Sequence, residues 1–216
     1  MYLPKHFEQA DAQALAESIR GFPLATLIHV GAHGPDANHI PLRLRRVGEA
    51  THLVGHVARA NPLWREADGQ AVLAIFHGPQ AYVSPQWYPS KAVDGRAVPT
   101  WNYSVVHAHG RLQAIDDPIW LRQLLEELSA EHEAFQPRPW RLDEAPPDYI
   151  DRQLRAIVGI DLRVDRLIGK DKLHQNHPEP NQRGVVAGLS ARDQSPAQAV
   201  AAQMQARLQE AGEVQG

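Results

Sequence analysis

Apolar residues recur along this chain in two rhythms, one of helices and one of strands. Between Asp11 and Arg20, alanine, leucine and isoleucine repeat at helical spacing, and Gly21 stops them. Phe22–Val30 is an apolar run of strand length, and residues 31–36 are dense in turn formers. His39–Val47 alternates: Ile40, Leu42 and Leu44 take one face, Arg43 and Arg45 the other. Further strands are predicted over 52–56, over 70–77 and, after a Gly78-Pro79 turn, over 81–84. Residues 98–115 give the longest strand, with Val105, His107, His109 and Arg111 on one face and Val106, Ala108 and Leu112 on the other. Asp117-Pro118 opens a helix to about Ala134, striped by Leu121, Leu124, Leu125 and Leu128. A Pro-rich loop, a short helix over 148–156 and a strand over 158–164 follow. Residues 174–184 read as a polar loop, and Ser195-Pro196 starts an Ala-rich helix to about Ala211 that packs on a partner or frays. Closely spaced strands with few helices predict a mainly β fold with peripheral helices (α+β), an antiparallel meander closing into a barrel.

The run Leu53-Val-Gly-His-Val-Ala-Arg-Ala-Asn-Pro62 joins a strand to a helix start. Asn61 caps that helix with its side-chain oxygen, and Pro62 takes a position where its missing N–H costs nothing. A helix N-terminus favours anions, and Arg59 adds a planar fork of donors suited to phosphate. The run is either a phosphate seat or an ordinary junction with a solvated Arg59.

Composition narrows the chemistry. The 216 residues are 43% hydrophobic and 22% charged, in the range of soluble globular proteins. A net charge of −3, with no helix-turn-helix spacing and no basic helix, makes direct DNA binding doubtful. The absence of cysteine excludes disulfides, thiolate nucleophiles and thiolate metal sites. His107 and His109 lack a third ligand and read as polar strand positions, so no metal site is predicted. No Gly-x-Ser-x-Gly elbow surrounds Ser84, Ser104 or Ser129, and no Gly-x-Gly-x-x-Gly follows a strand. No leader pattern or membrane-spanning run is present, and a cytoplasmic location without membrane contact is expected.

Five motifs stand in one order: His39-Ile-Pro41, Gly55-His-Val-Ala-Arg-Ala-Asn-Pro62, Pro79-Gln-Ala-Tyr-Val-Ser-Pro-Gln-Trp-Tyr88, Val98-Pro-Thr-Trp-Asn-Tyr103 and Lys172-Leu-His-Gln-Asn176. Together they closely resemble the PaiB family of FMN-binding proteins, from Tyr2 to Leu189. The resemblance implies an FMN-binding split β-barrel, related in fold to pyridoxamine phosphate oxidases and flavin reductases. It implies a homodimer with flavin sites at the subunit interface, acting in negative transcriptional regulation. It also implies a domain over residues 1–189 and a helical tail over 190–216. One position departs from the pattern: His174 stands where the family carries serine.

Carried over residue by residue, the resemblance implies that Arg59 binds the flavin phosphate. Asn61 and the backbone after it add neutral donors, and His56 bonds the phosphate or the ribityl chain. His39, Ile40, Pro41 and Leu42 form a strand rim for the pyrimidine edge, with Pro41 marking an edge or bulge. Trp101, Asn102 and Tyr103 either cover the ring from the second subunit or are packing residues, and Trp87 and Tyr88 leave the same choice open. Lys172, Gln175 and Asn176 reach the site from the late loop. Two function classes follow: a flavin-binding regulator or sensor, and an FMN-dependent oxidoreductase or flavin reductase. No catalytic acid or base stands out, and the twelve histidines permit haem handling without supporting it.

Overall fold

The computed structural model describes residues 1–213, with side chains to residue 210. After a 3₁₀ turn come β1 (Glu8–Gln9) and α1 (Ala12–Gly21). β2 (Leu24–Gly31) and β3 (Gly34–Pro41) form a hairpin paired from Leu24↔Pro41 to Gly31↔Gly34. Gly34 takes φ 108° at its tight turn, a conformation that glycine adopts without steric cost. β4 (Arg43–Val47) and β5 (Ala50–Ala58) form the next hairpin. Then follow α2 (Leu63–Glu66), β6 (Ala71–Val83), α3 (Lys91–Asp94), β7 (Thr100–Ile115), α4 (Pro118–Glu133) and α5 (Pro147–Arg155). β8 (Ile157–Lys172), α6 (Glu179–Ser190) and α7 (Ser195–Glu213) complete the described chain.

The strand order is β3-β2-β6-β7-β8-β5-β4, with β1 beside β8. The pairs β1–β8, β2–β3, β2–β6, β4–β5 and β5–β8 are all antiparallel. This is the mainly β, helix-bearing class that the alternation predicts. Four segments differ from the sequence reading. Residues 39–47 are two strands, because Leu42 leaves the ladder and donates its N–H to the Pro23 carbonyl at 2.9 Å. β6 runs straight through Gly78-Pro79, while its buried set switches from 72, 74 and 76 to 79, 81 and 83. A Cβ at Gly78 would lie 3.1 Å from both Cβ and O of Ser104, so glycine there serves a close strand approach. β8 continues eight residues beyond its expected end at Val164, to Lys172. α6 begins inside the expected loop, with Pro180 in the first turn, where a missing N–H breaks no helical bond.

Internal packing divides the chain into two compact units: residues 1–15, 77–106 and 168 onward, and residues 16–76 and 107–167. In the first, α6 and α7 bury Val185, Leu189, Val200 and Met204 with Val83, Tyr88 and Leu173. The expected helical tail is therefore core-forming in this unit, and the expected boundary at residue 189 falls within α6. Trp87 lies against α6: a Cβ at Gly184 would fall on its carbonyl oxygen, and one at Gly188 on its indole. In the second unit α4 and α5 pack through Leu121, Ile150 and Leu154. Asp117 caps α4 by accepting the Ile119 N–H at 2.8 Å, as its position predicts.

Candidate functional site

In the second unit, the end of β5 turns into α2 at the residues expected to receive phosphate. Asn61 Oδ1 accepts the Leu63 N–H at 2.9 Å, and its Nδ2 donates to Asn38 Oδ1 at 2.7 Å. α2 is a single turn, so it supplies little dipole. Arg59 is not the solvated cation that the sequence left open. Its two Nη atoms donate to the Asp116 carboxylate at 2.7 and 2.6 Å. Its Nε donates to the Arg155 carbonyl at 2.7 Å, and Nη2 also reaches the Ile157 carbonyl at 3.1 Å. Hydrogen bonding to Arg59 holds the Asp116 carboxyl below the usual range and raises the guanidinium in turn. An anion that reaches Arg59 must compete with Asp116.

Of the rim residues, His39, Ile40 and Pro41 end the edge strand β3, and Leu42 follows it. His39 is exposed and its Nδ1 stands 3.2 Å from Thr26 Oγ1, while Ile40 and Leu42 are buried. Pro41 ends β3, the first strand in the sheet order, as a residue without an N–H should. The Leu42 N–H is taken by Pro23, so it is not an open rim donor. β5 passes close beneath: a Cβ at Gly55 would lie 2.7 Å from the Pro41 carbonyl oxygen. Beside Gly55, burial lowers the pKa of His56, and its buried Nδ1 has no hydrogen-bond partner among the described residues. Buried polar atoms of this kind are rare and call for a partner.

In the first unit, β7 alternation separates the three residues expected to act as one cover. Trp101 is 53% exposed and meets Tyr82 edge-on at 6.1 Å between ring centroids. Tyr103 shares that face, with Lys170 Nζ 5.4 Å from its ring centroid. Asn102 points the other way and is fully buried. Gln175 bonds within its own segment. Its amide donates to the Asp171 carbonyl at 2.5 Å and accepts the Leu173 N–H at 2.7 Å.

Asn102, Lys172 and Asn176 instead converge on one cleft of about 290 Å³. Tyr88, Arg96, His174 and His177 join them, drawn from segments up to 89 positions apart that no local motif links. Lys172 Nζ donates to Thr100 Oγ1 at 2.5 Å and to the Trp101 carbonyl at 2.6 Å. Burial, then the neighbouring Lys170, lowers its pKa. Beneath lies a buried chain. Asn102 Nδ2 donates to Met204 Sδ at 3.2 Å, which leaves its Oδ1 to accept from His174 Nδ1 at 2.8 Å. His174 Nε2 then accepts the Tyr88 hydroxyl proton at 2.7 Å. Burial first, then His177 and Lys172, push the His174 pKa down to about 4, so the ring is neutral. His174 is also the one non-glycine residue with positive φ (68°) among those described, a conformation that costs about 1–3 kcal/mol.

A family model described as "Putative FMN-binding domain" matches residues 1–166. The chain belongs to this family, with PaiB. Its PaiB-type relative from Bacillus subtilis, "Protease synthase and sporulation protein PAI 2", is 29% identical over 212 residues, covering 96% of this chain and 98% of that one. Among solved structures, the FAD and heme binding protein from Mycobacterium smegmatis is 18% identical, covers 76% of this chain and 73% of its own, and superposes with a TM-score of 0.58. A flavocytochrome from Azotobacter vinelandii is 15% identical, covers 79% and 72%, and gives 0.55. These two likenesses show the split-barrel fold. FMN is the cofactor that the matched family's description names, and the second unit fits it: His56 keeps a buried nitrogen in want of a partner beside a closely packed rim. The matched region holds His39, His56, Arg59 and Asn61 but ends before Lys172.

Proposed function

We propose that this PaiB-type protein is a homodimeric, flavin-dependent negative regulator of transcription that holds FMN at the β3–β5 rim of its second unit. The unpartnered His56 Nδ1 is the observation that carries the site. His39 and Pro41 border the ring with the buried Ile40 and Leu42 packed behind them, Asn61 orders the turn, and Arg59 exchanges part of its Asp116 pairing for the flavin phosphate. Bound FMN supplies one- or two-electron redox chemistry; the protein residues orient it and shield it from water. The name of the Bacillus subtilis relative, "Protease synthase and sporulation protein PAI 2", supports a regulatory role. The net charge of −3 favours regulation through a protein partner or through metabolism over direct operator binding.

Flavin titration followed by sedimentation tests cofactor and assembly together. Saturable quenching of FMN fluorescence by a dimer is the expected result, and a protein that leaves FMN emission unchanged refutes the reading. Asp116→Asn leaves Arg59 with neutral partners only, so FMN binds more tightly while riboflavin, which lacks the phosphate, is unaffected. Arg59→Ala weakens FMN more than riboflavin. Equal changes for both flavins remove Arg59 from the phosphate. Steady oxidation of NADH or NADPH in the presence of FMN would make the protein an oxidoreductase instead.

A further inference from the structure

We propose that the cleft of the first unit binds a small oxyanion, a carboxylate or phosphate ester other than the flavin. The chain carries 25 acidic residues against 22 lysines and arginines, yet no aspartate or glutamate lines this cleft. Lys172 brings an ammonium whose hydrogen bonds all go to neutral oxygens, so its charge is unpaired. The Arg96 guanidinium, the Asn176 amide and the His177 ring nitrogens have no hydrogen-bond partner among the described residues. Arg96 and Asn176 are exposed and Lys172 and His177 half-buried, so these donors are open to solvent, and gathered without a counter-charge they favour an anion through charge-assisted hydrogen bonds.

The floor is built to keep its shape. The Tyr88–His174–Asn102 chain fixes the His174 tautomer, and His177 stacks on His174 with ring centroids 4.5 Å apart. Tyr88 donates its hydroxyl proton to His174, so it holds that ring in place and offers the cleft no donor of its own. A volume of about 290 Å³ leaves room for a small anion. Lys172, His174, Asn176 and His177 also lie beyond the region matched by the FMN-binding family. The inference is independent of the flavin reading.

The test uses FMN-saturated protein, titrated with inorganic pyrophosphate and with benzoate, and read by calorimetry and by the ring resonances of His174 and His177. Saturable binding of at least one probe is expected, with shifts at both histidines. Lys172→Met and Arg96→Gln should each weaken it tenfold or more, while Arg192→Gln, outside the cleft lining, leaves it unchanged. Binding of neither probe, or binding indifferent to Lys172 and Arg96, overturns the proposal. If pyrophosphate instead displaces FMN, and Lys172→Met weakens FMN but spares riboflavin, the cleft is the flavin's own phosphate seat and the separate ligand is refuted. If FMN fails to bind at all, the flavin reading falls alone, and the same titration on flavin-free protein still decides the cleft.

Discussion

The histidines carry the clearest pH consequence at the scale of single residues. His174 has a native pKa of about 4, against about 6.5 for an unperturbed histidine. Between those values the unfolded chain binds a proton that the native chain refuses, so stability rises with pH across the window and is lost as pH falls from about 6.5 to about 4. His56, His109 and His177 are lowered as well, chiefly by burial, and act in the same direction. Urea midpoints at pH 7.5, 6 and 5 should therefore fall steadily, and His174→Ser should flatten part of the slope. A midpoint that stays constant over that range contradicts the buried, neutral His174. The site itself was legible only in part from sequence. Asn61 was legible as a cap and Pro41 as a strand end, whereas His39 and His56 entered only through the family resemblance. The Asp116 pairing of Arg59 was not legible, because a partner 57 positions away leaves no trace in local spacing. Arg96 and His177 were missed for the same reason.

Elements were legible wherever period and punctuation agreed. β7 keeps strict alternation from Asn102 to Leu112, and α4 has both its cap and its leucine stripe. The reading failed where a tertiary contact outweighs a local signal. Gly78-Pro79 reads as a turn, but Ser104 needs the space and β6 runs on. The polar second half of β8 and the prolines at the start of α6, Pro178 and Pro180, hid a strand and a helix start. The α6 glycines make a prediction of their own. Gly188→Ala would drive a methyl into the Trp87 indole and destabilise the first unit by about 1–3 kcal/mol. A thermal midpoint equal to wild type would show that Trp87 moves aside freely. Gly21→Ala, with open space around its Cβ position, is the control.

At the scale of the whole molecule, assembly is the open physical question. Trp101 and Tyr82 present an aromatic pair to solvent on neighbouring strands, and aromatic anchors of this kind dominate association energies. Trp101→Glu should convert a dimer into monomers in sedimentation at micromolar concentration and leave the circular dichroism of the fold intact. An unchanged sedimentation coefficient would place the contact elsewhere. The sheet order also leaves β3 and β4 at its two ends. β3 has prolines at positions 35 and 41, and β4 carries Arg43, Arg45 and Arg46. A foreign chain trying to extend either margin meets missing N–H groups on one side and, on the other, Arg43 and Arg45 already paired with Glu127 and Glu131 of α4. Crowded solutions of this protein should for that reason resist seeding of fibrils, and its assembly is left to faces rather than to strand ends.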